Sequence, residues 1–162
     1  MSQLDYFVSK YNNKCVILDT NILLVYLVGC IDLRLLSSFK RTSSRFCEDD
    51  FEVLNQIFSK FKKFITTPNI LTEVSNLGGQ LSGDYKIRFF EILSDFINQT
   101  PEQYVKSSDI AIDIDFIKLG ITDRGVLELS KDDYLIITDD YKLSARCSNS
   151  LNYNHLRSTP KN

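Results

Sequence analysis

An α/β fold, with a parallel sheet covered on both faces by helices, is the architecture this sequence predicts, and three features predict it. Short aliphatic runs of strand character alternate with longer stretches of helical periodicity along the whole chain. The two clearest runs, Val16-Ile17-Leu18 and Tyr134 to Ile137, are apolar enough to be buried strands. Each leads into acids, Asp19 in the first case and Thr138-Asp139-Asp140 in the second. Open α/β sheets carry their functional crevice beyond the carboxyl ends of the strands, so these acids stand where chemistry is expected.

The 162 residues, 43% of them hydrophobic, suit one domain over residues 1–157 with a polar tail at 158–162. After Asp19, Asn21 to Gly29 reads as an apolar helix, and Asp50 to Phe61 as a helix with one buried stripe through Phe51, Leu54, Ile57, Phe58 and Phe61. Phe64-Ile65-Thr66 is a second strand. Thr67 and Pro68 form a helix start, as N-cap and first helical residue, which puts Glu73 near the second turn. Gly78-Gly79 with Ser82-Gly83 marks a loop before an amphipathic helix, Asp84 to Ile97, whose apolar stripe is Ile87, Phe90, Leu93 and Ile97. Beyond Pro101, Gln103 to Lys106 is a short strand and Ser108 to Leu119 a helix stopped by Gly120. Thr122 caps the next helix, which begins around Asp123, and Leu151 to Leu156 is the last strand.

Several function classes fall away on composition. Cys15, Cys30, Cys47 and Cys147 contain no C-x-x-C pair and His155 is the single histidine, so no zinc-type cluster is present; the thiols read as small buried hydrophobes of a cytoplasmic protein. The apolar run Ile22 to Ile31 is broken by Gly29 and is about half the ~20 residues that a membrane span requires. The first residues lack the basic start and apolar block of a secretory signal. A net charge of −2 is unusual for a nucleic-acid binder, yet the basic residues cluster: Arg34, Lys40, Arg41 and Arg45, then Lys60, Lys62 and Lys63, and after Asp140 a carboxylate-free stretch holding Lys142, Arg146, Arg157 and Lys161. Solvated surface charge is the plain reading. Beside an acidic site, Arg34, Lys40, Arg41, Lys142 and Arg146 become candidates for holding a polyanion.

Carboxylates gathered at strand ends repel one another and cost folding energy unless a cation compensates them. Oxygen ligands without His or Cys select hard Mg²⁺ or Mn²⁺ over zinc. Such an ion activates water and neutralises charge on a phosphodiester in transit. Taken singly, each acid has an ordinary role as a turn residue, a cap or a first-turn acid; it is the joint pattern that points to a site.

That pattern resembles the PIN-domain nucleases over most of the chain. Val16-Ile17-Leu18-Asp19-Thr20-Asn21-Ile22-Leu23-Leu24 is similar to that family's first motif, a strand followed by Asp-Thr-Asn and an apolar helix. Thr67 to Val74 matches the second, with Glu73 as its acid. Leu119-Gly120-Ile121-Thr122-Asp123, followed by Val126-Leu127-Glu128-Leu129, resembles the third and most specific motif, and Thr138-Asp139-Asp140 the fourth, Thr-x-Asp. The resemblance implies a three-layer α/β/α fold with a five-stranded parallel sheet, Mg²⁺ or Mn²⁺ as cofactor and single-stranded RNA as substrate. It implies Asp19, Glu73, Asp123 and Asp140 as the catalytic acids and ion ligands, with Asp139, at the variable position, ranked below Asp140. Thr20, Asn21 and Thr138 would orient neighbouring carboxylates. Many PIN nucleases of this size are toxins of toxin–antitoxin pairs, which adds an antitoxin protein and a homodimer to the expected partners. The stretch from Gly29 to Lys63 is longer and more charged than in the shortest members.

Two other classes compete. A Mg²⁺-dependent phosphatase or receiver-like module also places Asp at strand ends, but Asn21 cannot serve as the acid/base of an Asp-x-Asp phosphatase, and the last strand offers His155 and Arg157 where a receiver needs Lys. A PIN-like module that binds RNA without cutting it has no electrostatic reason to retain four mutually repulsive acids.

Overall fold

The computed structural model describes residues 1–157, so the expected tail lies outside the described residues. The sheet has four parallel strands in the order β2-β1-β3-β4: β1 is Val16–Leu18, β2 Phe64–Ile65, β3 Leu135–Thr138 and β4 Ser150–Asn152. Val16 to Leu18 pairs with Leu135 to Ile137 on one side, and Val16-Ile17 with Phe64-Ile65 on the other. β1 and β3 are buried along their whole length, as strands with helices on both sides must be.

Helices flank this sheet. They are α1 (Gln3–Tyr11), α2 (Thr20–Ile31), α3 (Leu35–Ser38), α4 (Glu48–Lys60), α5 (Pro68–Gly78), α6 (Gly83–Gln99), α7 (Ser107–Ile110), α8 (Ile114–Ser130), α9 (Tyr141–Arg146) and α10 (Tyr153–Arg157). Among the described residues, no helix is long and apolar enough to cross a membrane. α2 is apolar on nearly every side because it packs against α3, α4, α5 and α6 together. Gly29 does not break it. A Cβ there would lie 2.1 Å from the Phe51 ring of α4, so the glycine admits that ring into the helix surface. α5 begins as expected, with the Thr67 side chain accepting from the Ile70 N–H and Pro68 at the helix start.

Several expectations need correction. Gln103 to Lys106 adds no fifth strand: one parallel bridge joins Thr66 to Glu102, with the Gln103 N–H donating to the Thr66 carbonyl, and β2 is too short to extend the ladder. The last strand stops at Asn152, whose side-chain oxygen accepts from the Asn154 N–H and turns the chain into α10. The helix expected over Ser108 to Leu119 is split at residues 111–113, where Asp113 caps α8 by accepting from the Phe116 N–H. On α6 the buried residues are Phe89 and Leu93, whereas Ile87, Phe90 and Ile97 are exposed. Phe89 occupies the space over Gly78, where a Cβ would meet its ring at 2.0 Å; Gly78 is the last residue of α5, not a loop residue. The cysteines are all free, but only Cys15 and Cys147 are partly buried; Cys30 and Cys47 are exposed.

Candidate functional site

The carboxyl edge of the sheet is built from the ends of β1 and β3. Asp19 follows β1, its N–H donating to the Ile137 carbonyl across the β1–β3 pair, and the residue is 5% exposed. As N-cap of α2 it accepts from the Ile22 N–H through Oδ1 (3.0 Å), while Oδ2 accepts from the Thr138 hydroxyl. That hydroxyl oxygen in turn accepts from the Asp140 N–H (3.0 Å), which commits its own proton to Asp19. Asp139 is buried and Asp140 stands on the rim as N-cap of α9, accepting from the Lys142 and Leu143 N–H groups.

Glu73 reaches the same place from α5. Its residue is solvent-exposed, but its carboxylate is held from both sides: Oε2 accepts from the Thr20 hydroxyl (2.9 Å) and Oε1 from the Thr122 hydroxyl (2.6 Å). One carboxylate therefore ties α2, α5 and α8 together. Asp123 follows Thr122 on α8, just beyond a kink at Gly120, where φ is 77° and ψ −179°, a region that only glycine visits readily. The kink is braced by Arg124, buried at 5% exposure, whose guanidinium forks onto Asp113 (Nε 3.2 Å, Nη2 2.8 Å) and bonds Glu128 through Nη1 (2.9 Å). Asp113 caps the half of α8 before Gly120 and binds the half after it, which fixes the turn that carries Thr122 and Asp123.

These acids feel one another's charge. Burial pushes the Asp19 carboxyl up to about 7, with repulsion from Asp139 and Asp123 adding to it and the bonds from Thr138 and Ile22 opposing it. Asp123 is pushed up to about 6 by burial and by the charges of Asp140, Glu73 and Asp139. Acids distributed from position 19 to position 140 thus act on one another, and two of them pay for it in raised proton affinity.

No family model and no curated protein matches this sequence. The site has to be read on its own geometry.

The donor groups are all oxygens, the type that hard divalent cations prefer, and two of them are carboxyls with raised proton affinity. The set is not drawn together. Among the described residues, no three His, Cys, Asp or Glu side chains are close enough to hold one ion as they stand. Their oxygens are engaged elsewhere. Glu73 spends both oxygens on threonines and Asp140 caps α9. Asp139 accepts from Asn21 Nδ2 through Oδ1 (3.4 Å) and pairs through Oδ2 with Arg45 Nη2 (3.1 Å).

Thr20, Asn21 and Thr138 each contact a carboxylate of the cluster. The basic residues of the expected set are variously engaged. Arg34 forks onto Asp32 (Nη2 2.7 Å), Arg41 donates to Gln80 (2.7 Å) and Arg146 pairs with Asp115 (2.9 Å), while Lys40 and Lys142 are exposed. Sequence reasoning missed three contributors. Arg45 lay inside a recognised basic run, Thr122 was assigned as a cap, and Asn154, whose Nδ2 donates to the Asp139 carbonyl (2.8 Å), was placed in a strand.

Proposed function

We propose that this chain is a divalent-metal-dependent endoribonuclease of the PIN type, with a three-layer α/β/α fold, that hydrolyses phosphodiester bonds of single-stranded RNA at the Asp19/Glu73/Asp123/Asp139–Asp140 cluster. The observation that carries this reading is the convergence of these acids at the carboxyl edge of the sheet, where burial first and their mutual repulsion second raise Asp19 and Asp123 together. Such a cluster costs stability and is retained for a cation.

Asp19, Asp123 and one or both of Asp139 and Asp140 are the residues that would hold Mg²⁺ or Mn²⁺, which when bound supplies Lewis acidity toward a phosphodiester oxygen and toward water. The chain's own residues supply positioning. The Thr138 hydroxyl aims Asp19, and Asn21 steadies Asp139. Thr20 and Thr122 hold Glu73 where it can orient a water and take its proton. The setting we propose is cytoplasmic, as the toxin of a toxin–antitoxin pair, dimeric and restrained by an antitoxin protein.

The test is cleavage of a labelled single-stranded RNA with Mn²⁺, with Mg²⁺ and with excess chelator, by the native chain and by Asp19→Asn and Asp123→Asn. We expect ion-dependent cleavage by the native chain only, and a rise in Tm on adding Mn²⁺ that both variants lose. Equal RNA degradation in chelator refutes the reading, as does turnover of a small phosphomonoester through a phosphoenzyme on Asp19.

A further inference from the structure

Arg45 ion-pairs with the acid cluster through Asp139, and its surroundings hold it there. The side chain of Asp139 is 3% exposed and that of Arg45 54%, so the guanidinium has one edge in the buried site and the remainder toward solvent. Its backbone is anchored: the N–H groups of Arg45 and Phe46 both donate to the Thr42 carbonyl (3.2 and 2.9 Å), and the buried Thr42 hydroxyl donates to the Leu36 carbonyl (3.0 Å). Phe46 is buried beside it, with the Arg45 guanidinium 5.9 Å and that of Arg157 5.3 Å from its ring. Beyond Phe46, buried Asp50 accepts from the Cys47 N–H (2.7 Å) and the Tyr153 hydroxyl (3.0 Å) and pairs with Arg157 (2.8 Å). The segment between α3 and α4 is therefore a pedestal that presents Arg45 to the site.

We propose that Arg45 is the phosphate-holding residue of this site, parked on Asp139 and transferred to a backbone phosphate of the RNA when the cluster takes up its cation. This rests on the nuclease reading above. A guanidinium offers five N–H donors in a planar fork that matches phosphate bidentately, and Arg45 meets Asp139 through Nη2 with just over half of its side chain exposed. Asp139 is also among the acids that would hold a cation in the cluster. Arg45 therefore competes with the ion and cooperates with the substrate, two effects of opposite sign.

Arg45→Gln separates them. Titration of Mn²⁺ alone into the chain, followed by calorimetry, should show the variant binding about threefold more tightly, the scale of a half-exposed ion pair. With single-stranded RNA in Mn²⁺, KM should rise roughly tenfold with little change in kcat, as loss of one charge-assisted phosphate contact requires. The salt dependence of log KM should lose about 0.7 in slope, one phosphate neutralised on a single strand. Arg45→Lys should restore that slope but not the full KM, because it keeps the charge and lacks the fork. If Arg45→Gln weakens Mn²⁺ binding, or leaves KM and its salt slope unchanged while the native chain cleaves RNA, this inference fails and the nuclease reading stands. If the native chain neither binds Mn²⁺ nor cleaves, both fail.

Discussion

Asp19→Asn examines the electrostatic cost of the site directly. The Asp19 carboxyl is pushed from 3.8 to about 7, first by burial and then by Asp139 and Asp123, against the bonds from Thr138 and Ile22. Because the folded value lies above the unfolded one, the fold favours the protonated acid. The associated stability is fully present below the unfolded value and is lost as pH rises through the folded one. The whole interval corresponds to about 4 kcal/mol, an upper limit because water and side-chain relaxation screen the repulsion. We expect about 2 kcal/mol of it to be lost between about pH 5 and about pH 8, with Asp123, raised to about 6, contributing in the same direction. Asparagine has nearly the same shape, carries no charge at any of these pH values and keeps an oxygen for the Ile22 N–H. Urea unfolding followed by circular dichroism in chelator should therefore find the variant close to the native chain at the lower pH and about 2 kcal/mol more stable at the higher one. With Mn²⁺ at the higher pH the order should reverse, since only the native chain retains the ligand. A variant destabilised by the same margin at both pH values would show that Asp19 is a simple cap with no electrostatic cost, and would remove the main support for a cation site.

Three further outcomes follow from the surrounding structure. Gly78→Ala drives a methyl into the Phe89 ring, which lies 2.0 to 2.5 Å from the added carbon, and should cost about 2 to 3 kcal/mol in urea unfolding, partly recovered by Phe89→Leu. Gly120→Ala meets no atom within 4 Å, so its cost is conformational, about 1 to 3 kcal/mol for that backbone region; a drop in RNA cleavage larger than the drop in folded fraction would report the displaced Thr122–Asp123 turn. Tyr153→Phe removes a hydroxyl that donates to buried Asp50 and should lower stability by about 1 to 2 kcal/mol in the same unfolding assay, with KM for RNA raised as the Arg45 pedestal loosens.

What the sequence made legible is what short stretches of chain determine by themselves. Val16 to Leu18 and Leu135 to Ile137 are strands because they are apolar and end at cap residues, and Thr67-Pro68 starts a helix by local stereochemistry. The acids were readable for the same reason: Asp19 and Asp140 are caps and Glu73 sits a fixed distance into a helix. Helix faces were less readable. On α6, Ile87, Phe90, Leu93 and Ile97 form one stripe at helical spacing, and Phe89, Ile92, Leu93 and Phe96 form another that overlaps it. Periodicity alone cannot choose between them. The choice is made on a different helix, where the missing side chain of Gly78 opens the socket that Phe89 fills.

The same distinction explains why the acids could be anticipated and the arginine that pairs with them could not. A carboxylate at a strand end is placed by its own neighbours, whereas the partner of a long, exposed side chain is chosen by tertiary distance. Arg34 and Arg45 belong to one basic run and are indistinguishable by composition, yet Arg34 folds back onto Asp32 two residues away while Arg45 crosses to Asp139. Local sequence decides the first case, since Asp32 also accepts from the Arg34 N–H (2.9 Å) and closes a turn around it. In the second, the decision rests with Thr42, Phe46 and the Asp50–Tyr153 bond, which join the start of α4 to α10 and fix where residue 45 can point. A basic residue's relevance to an acidic site is thus a property of the pedestal beneath it, and substitutions in that pedestal should raise KM for RNA without altering any carboxylate of the cluster.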